Sequence, residues 1–203
     1  MSTVTIVSTG TANIASVAAA LRRCGCTPRT TTNPDDVSDA DRVVLPGVGS
    51  FAAGMEALNS HGLTPVLRER AEAGRPLLAI CLGLQLLCRS SEESPGVSGL
   101  GVVDADVRRL SADLRVPQFG WNTVERGDTS IRTDGYAYYA NSYCVADPPH
   151  GWRCATTPYG TSIVAAIERG TVLACQFHPE LSGAWGAELI AGWLSRTQSS
   201  VAC

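Results

Sequence analysis

Pro76-Leu77-Leu78-Ala79-Ile80-Cys81-Leu82-Gly83-Leu84-Gln85-Leu86-Leu87-Cys88 is the stretch whose reading decides the fold of this chain. Its first half is a short, continuous aliphatic run, which predicts a buried strand, and its second half predicts the start of a helix. Between them stands Ala79-Ile80-Cys81-Leu82-Gly83, in which small residues flank a central nucleophile at two positions either side. At a strand-to-helix junction this spacing makes a nucleophile elbow, here with Cys in place of Ser. Ala79 and Gly83 must be small because so tight a turn brings neighbouring chain too close for larger side chains. The start of the helix offers free N–H groups that favour thiolate over thiol. The same groups, that of Leu82 first, can receive a developing oxyanion. An isolated cysteine here would read as structural. The flanking small residues and the strand–helix context assign Cys81 as a nucleophile.

A cysteine nucleophile needs a base, and the chain has three histidines to choose from. His61 lies in the polar, helix-ending Asn59-Ser60-His61-Gly62, and His150 follows Pro148-Pro149 in a loop, so both are expected at the surface. His178 instead ends the apolar run Val172-Leu173-Ala174-Cys175-Gln176-Phe177 and is followed by Pro179-Glu180. In an extended segment, residues two apart face the same side. Glu180 is therefore expected to reach the imidazole nitrogen turned away from the nucleophile and to fix its tautomer. Cys81, His178 and Glu180 thus form a nucleophile, base and orienting group in that chain order. A further segment, Leu45-Pro46-Gly47-Val48-Gly49-Ser50-Phe51, follows the strand-like Arg42–Leu45. On its residues alone it reads as a Pro-Gly turn.

At 203 residues the chain is expected to form a single domain over 1–203, large enough for a full core. The formal net charge of −3 and the absence of a basic cluster argue against nucleic acid as a partner. No charged-then-apolar signal precedes Thr3-Val4-Thr5-Ile6-Val7, and no apolar run is long enough for a bilayer, so a cytoplasmic protein without membrane contact is expected. The eight cysteines are read as reduced thiols, with Cys88, Cys144, Cys154 and Cys175 on apolar runs. Neither Cys24-Gly25-Cys26 nor Cys175 with His178 has a second ligand pair at metal spacing, so no metal and no cofactor are expected.

Strand and helix alternate through the first half of the chain. Strands are expected at Val4–Ser8, Arg29–Thr32, Arg42–Leu45 and Pro76–Ile80, with helices at Asn13–Arg23, Phe51–Asn59, Thr64–Ala73 and after the elbow. The alternation predicts an α/β fold with a mostly parallel central sheet and helices on both faces, of flavodoxin-like type. From Val102 the character changes to short strands at Val103–Leu110, Trp121–Val124, Tyr136–Val145, Trp152–Thr156, Ile163–Glu168 and Val172–Phe177. These are expected as antiparallel additions to the sheet edge before a closing helix Ala184–Ser195. Cys81, Pro46–Gly49 and His178 all fall at carboxyl ends of strands, where such sheets bind ligands.

Ile80-Cys81-Leu82-Gly83-Leu84-Gln85-Leu86-Leu87, Pro46-Gly47-Val48-Gly49, Gly120-Trp121-Asn122 and Gln176-Phe177-His178-Pro179-Glu180 resemble the class I glutamine amidotransferases. Within them the pattern is most similar to the glutaminase subunits of imidazole glycerol phosphate synthase, of histidine biosynthesis. The resemblance runs from Gly10-Thr11-Ala12-Asn13 to beyond Trp185. It implies that Cys81 attacks the side-chain amide of glutamine and that the backbone N–H groups of Val48 and Leu82 form the oxyanion hole. It further implies that Gly49 and Gln85 hold glutamine and that Asn13 and Trp121 lie toward a partner interface. The implied partner is a (β/α)₈-barrel cyclase subunit, joined as a heterodimer and receiving ammonia through a channel. Three departures from the family pattern stand out: Pro117-Gln118-Phe119 where Pro-His-Met is usual, Asn141 where His is usual before Ser142-Tyr143, and Leu181 where a basic residue usually follows Glu180. They leave room for a paralogue supplying another synthase; a non-catalytic regulatory paralogue is a separate alternative, against which Cys81, His178 and Glu180 together argue. A cysteine hydrolase or peptidase of similar architecture is the remaining alternative.

Overall fold

A computed structural model describes residues 2–8, 10 and 12–198. The first half runs β1 (Thr3–Val7), α1 (Ile14–Arg23), β2 (Thr27–Thr31), α2 (Pro34–Asp39), β3 (Val43–Gly47), α3 (Phe51–Ser60), α4 (Leu63–Glu72), β4 (Leu77–Cys81) and α5 (Leu82–Leu87). The second half runs β5 (Cys88–Ser91), β6 (Val103–Arg109), β7 (Gln118–Val124), β8 (Gly135–Asn141), β9 (Tyr143–Val145), β10 (Arg153–Tyr159), β11 (Thr161–Arg169), β12 (Val172–Cys175) and α6 (Gly183–Arg196).

The central sheet has seven strands in the order β10-β11-β12-β4-β3-β1-β2. From β12 to β2 every neighbouring pair is parallel. β10 and β11 extend the other edge as an antiparallel pair. Alternation along the buried strands divides the core in two. Leu77 and Ala79 of β4 join one cluster with residues of α2, α3, α4 and α5. Leu78 and Ile80 join the other with residues of α1, α6 and the β7–β8 pair. Helices on both faces thus explain why β4 is apolar at every position.

The helices start where their caps allow. Asn13 and Asn33 accept hydrogen bonds from the N–H groups of Ser16 and Asp35, and Pro34 occupies the first turn of α2. The start of α3 is capped from a distance. Glu93 Oε2 accepts from Phe51 N–H at 2.7 Å and Ser94 Oγ from Ala52 N–H at 3.1 Å. Among the described residues no helix is long and apolar enough to cross a membrane.

The later strands depart from the expected edge additions. Only β10 and β11 take that place. β12 is buried along its whole length and lies inside the sheet, parallel to β4. β5, β6 and β9 form a separate three-stranded sheet, and β7 pairs with β8 in a two-stranded one. The expected strand Tyr136–Val145 breaks at Ser142, because its two halves pair with different partners: β8 with β7 and β9 with β6. α2 was not anticipated.

Gly83 sets the approach of α5 to the sheet. A Cβ there would stand 2.1 Å from the carbonyl oxygen of Leu45, a backbone atom of β3 that cannot step aside alone. Gly83→Ala is therefore expected to lower unfolding stability by about 1–3 kcal/mol or more, read as the midpoint of denaturant unfolding. An unchanged midpoint would mean that the strand-to-helix packing is looser than described.

Candidate active site

Cys81 ends β4 and immediately precedes α5, with φ 54° and ψ −107°. Among the described residues it alone is a non-glycine at positive φ. Such backbone costs on the order of 1–3 kcal/mol and persists only where the surroundings hold it. Here they do: β4 pairs with β3 on one side and β12 on the other, and Gly47 lies opposite Cys81 in register. A Cβ on Gly47 would stand 2.9 Å from Leu82 Cβ, so the end of β3 needs glycine to lie against the elbow.

His178, the expected base, arrives from β12. Cys175 pairs with Ile80, and the chain then crosses to β8, where His178 N–H donates to Tyr138 carbonyl at 2.9 Å. Ser182 Oγ donates to the His178 carbonyl at 2.6 Å and accepts from Tyr138 N–H at 3.0 Å, closing the clasp. Glu180 Oε1 lies 2.9 Å from His178 Nδ1, with both side chains buried. The expected contact is present, but by a different route. Pro179–Leu181 is a 3₁₀ turn rather than extended chain, and the turn brings Glu180 back to the ring's Nδ1.

Burial alone would pull the His178 imidazolium toward neutrality. Hydrogen bonds and charge from Cys81 and Glu180 outweigh it and lift the pKa to about 10. His178 is thus cationic at neutral pH, flanked by sulfur and carboxylate, and holds the proton that a leaving amine needs. Burial pushes Cys88 up to about 12 and Cys144 and Cys154 up to about 11. These three stay protonated at neutral pH.

Cys81 opens onto a cleft of about 150 Å³ lined by Val48, Gly49, Leu82, Gln85, Glu93, Asn141 and Tyr143, with Ala140 and Ser142. The residues expected at the oxyanion hole and around glutamine therefore share one cavity with Cys81. Gln85 is buried, its Nε2 donating to the Tyr143 carbonyl at 3.0 Å and to Gln176 Oε1 at 3.1 Å. Gln176 Nε2 in turn lies 3.7 Å from Cys81 Sγ. Nothing in the apolar run Val172–Phe177 had marked Gln176 except its being the polar member. His61 and His150 are exposed, as expected. Asn13 is exposed and caps α1. Trp121 is 58% exposed beside Phe119 at 70%, so the hairpin carries bare aromatic surface.

Gln118 and Asn141, two of the departures from the family pattern, prove to be one feature. They lie opposite each other across β7 and β8, both buried.

The model of the glutamine amidotransferase class-I family matches residues 5–194. The chain belongs to the class I glutamine amidotransferase family and is an enzyme of that class, a glutaminase. Within the family it is 43% identical to the imidazole glycerol phosphate synthase subunit HisH of Deinococcus radiodurans, over 94% of this chain and 92% of that protein. It is 42% identical to the chloroplastic imidazole glycerol phosphate synthase hisHF of Arabidopsis thaliana, over 95% of this chain but only 34% of that longer protein. A crystal structure of a glutamine amidotransferase matches the fold with a TM-score of 0.78 at 20% identity, covering 96% of this chain and 98% of that one.

Because its raised pKa follows from Cys81 and Glu180, the His178 imidazole should keep its protonated proton resonance from pH 6 to pH 8 and titrate only near pH 10. NMR of the imidazole C2 proton reads this directly. A midpoint near the ordinary 6.5 would mean that burial outweighs the two partners.

Proposed function

We propose that this chain is the glutaminase subunit of an imidazole glycerol phosphate synthase, acting as one amidotransferase domain in the cytoplasm with a (β/α)₈-barrel cyclase as its heterodimer partner. The observation that carries the reading is Cys81 on its strained elbow, beside a His178 that Glu180 holds at 2.9 Å. The kinship with HisH subunits supports the choice of synthase.

The chemistry follows from the arrangement. Cys81 sulfur attacks the side-chain carbonyl carbon of glutamine, and the carbonyl oxygen takes up the negative charge. Backbone N–H groups of Leu82 and Val48 stabilise that oxyanion, each donor contributing roughly 100- to 1,000-fold. His178 gives its proton to the departing nitrogen, and ammonia leaves a glutamyl thioester on Cys81. His178, now neutral, takes a proton from water as the water attacks the thioester. Glutamate departs and the thiolate–imidazolium pair is restored. Glu180 orients the ring throughout, while Gly49 and Gln85 hold the glutamine.

The barrel partner docks on the β7–β8 hairpin. Phe119, Trp121 and Tyr136 present exposed aromatic surface there, of the kind that marks an interface. Phe119 and Trp121 pack edge-to-face on Tyr138, at centroid distances of 5.7 and 6.1 Å. Tyr138 is the residue whose carbonyl receives His178 N–H. A partner seated on these rings therefore touches the strand that holds the base. Rotation of the Gly47–Val48 peptide supplies a second control. With the Val48 N–H turned away the hole has one donor fewer, and partner binding need favour the completed hole by only a few kcal/mol to switch the rate.

The isolated chain is expected to hydrolyse glutamine feebly and to be strongly stimulated by the barrel partner with its nucleotide ligand, in steady-state glutaminase assays. Full activity alone would mean that the hole is preformed. In the complex, Cys81→Ser should abolish glutamine-dependent synthesis while synthesis from ammonium salts survives. Loss of both in a folded complex would refute separate sites for ammonia release and ammonia use. Trp121→Ala should raise the Kd for the barrel partner at least about tenfold, as truncation of an interface anchor does. Binding equal to the parent's would remove the hairpin from the interface.

A further inference from the structure

The nucleophile has a close neighbour outside the triad. Gln176 follows β12, is fully buried, and brings its Nε2 to 3.7 Å from Cys81 Sγ. Its Oε1 accepts from Gln85 Nε2, and that same nitrogen donates to the Tyr143 carbonyl. These contacts fix the orientation of both amides. A backbone carbonyl only accepts, so Gln85 must turn its nitrogen toward Tyr143. The second hydrogen on that nitrogen then meets Gln176, which must present its oxygen. The nitrogen of Gln176 is thereby aimed at the sulfur. Turning over Gln85 would set two acceptors against each other at Tyr143. Turning over Gln176 would set donor against donor at Gln85 and a lone pair against the sulfur, in a buried site where unmet polar groups are costly.

We propose that Gln176 is a catalytic residue whose Nε2–H donates to the Cys81 sulfur and stabilises its thiolate form, with Gln85 as the positioning residue that holds the Gln176 amide in that orientation. The inference deepens the glutaminase reading and rests on Cys81 being the nucleophile. A neutral donor suits the place. A second cation there would repel the His178 imidazolium, and a carboxylate would repel the thiolate. Gln85 and Tyr143 line the same cleft as Cys81, so the groups that face the substrate also set the state of the nucleophile.

The test is alkylation of the full-length chain by iodoacetamide, followed at Cys81 by mass spectrometry as a function of pH. Iodoacetamide is too small to need the glutamine contacts, so it reads the sulfur itself. Gln176→Met keeps length and bulk but cannot donate. The expected displacement of the rate–pH curve is about one to two pH units, the scale of a hydrogen bond to a charged group. The rate–pH curve should move to higher pH with its alkaline plateau intact. Gln85→Met should shift the curve the same way by less, and the double variant should be no worse than Gln176→Met. Should Gln176→Met fail to fold, Gln176→Leu also removes the donor and is expected to shift the curve in the same direction. A parent-like curve in a folded Gln176 variant would overturn the proposal, and a parent-like curve in Gln85→Met would overturn the positioning role. Glutamine turnover, measured alongside, tests the glutaminase reading separately.

Discussion

Holding a cysteine at φ 54° costs on the order of 1–3 kcal/mol, and most of what surrounds Cys81 serves to keep it there. The cost is met by close packing on three sides. β3 pairs with β4 in parallel register up to Cys81 and β12 up to Ile80, and α5 lies so close to β3 that only glycine fits at position 83. The return is placement. A side chain on a regular strand would point into one of the two cores, whereas the elbow turns the sulfur into the cleft beside free N–H groups. The core residues on both faces of β4 thus matter to the chemistry chiefly through the stiffness of one backbone turn.

The other half of the site is assembled from segments distant in sequence. His178 is held at its backbone by β8, at its carbonyl by Ser182 and at its ring by Glu180. Two of these three contacts come from a tight turn only a few residues long, which gives the imidazole little freedom to rotate. The same β8 strand carries Tyr138 beneath the exposed rings of Phe119 and Trp121. Among the described residues the most exposed aromatic surface therefore lies one residue contact from His178. In the proposed heterodimer this arrangement would tie turnover to the second protein.

The site was legible where it is local. The elbow, the small residues at 79 and 83, and the offset of Glu180 from His178 are all short-range patterns. Even there the reason for the last differed, because a 3₁₀ turn replaces the extended chain. The alternating first half also gave away its parallel sheet, although α2 was overlooked despite the capping signal in Asn33-Pro34-Asp35. What sequence did not disclose is non-local. β12 lies in the middle of the sheet, which decides that His178 meets Cys81, and the later strands divide between three sheets. Glu93 and Ser94 cap a helix some forty residues earlier in the chain. Gln118 and Asn141 read as two unrelated departures until the register of β7 and β8 sets them face to face. Gln176 stands out in the sequence only as the polar member of an apolar run. Its role depends on two partners from other elements, and no pattern of spacing encodes that.

The central claim is that glutamine passes through a covalent bond to Cys81 and to no other of the chain's eight cysteines. Acid quenching of the complex during glutamine turnover, followed by peptide mass spectrometry, tests it most directly. A glutamyl thioester confined to the peptide that contains Cys81 is the predicted result. Turnover with no adduct, or an adduct on another thiol such as Cys88, would contradict the account.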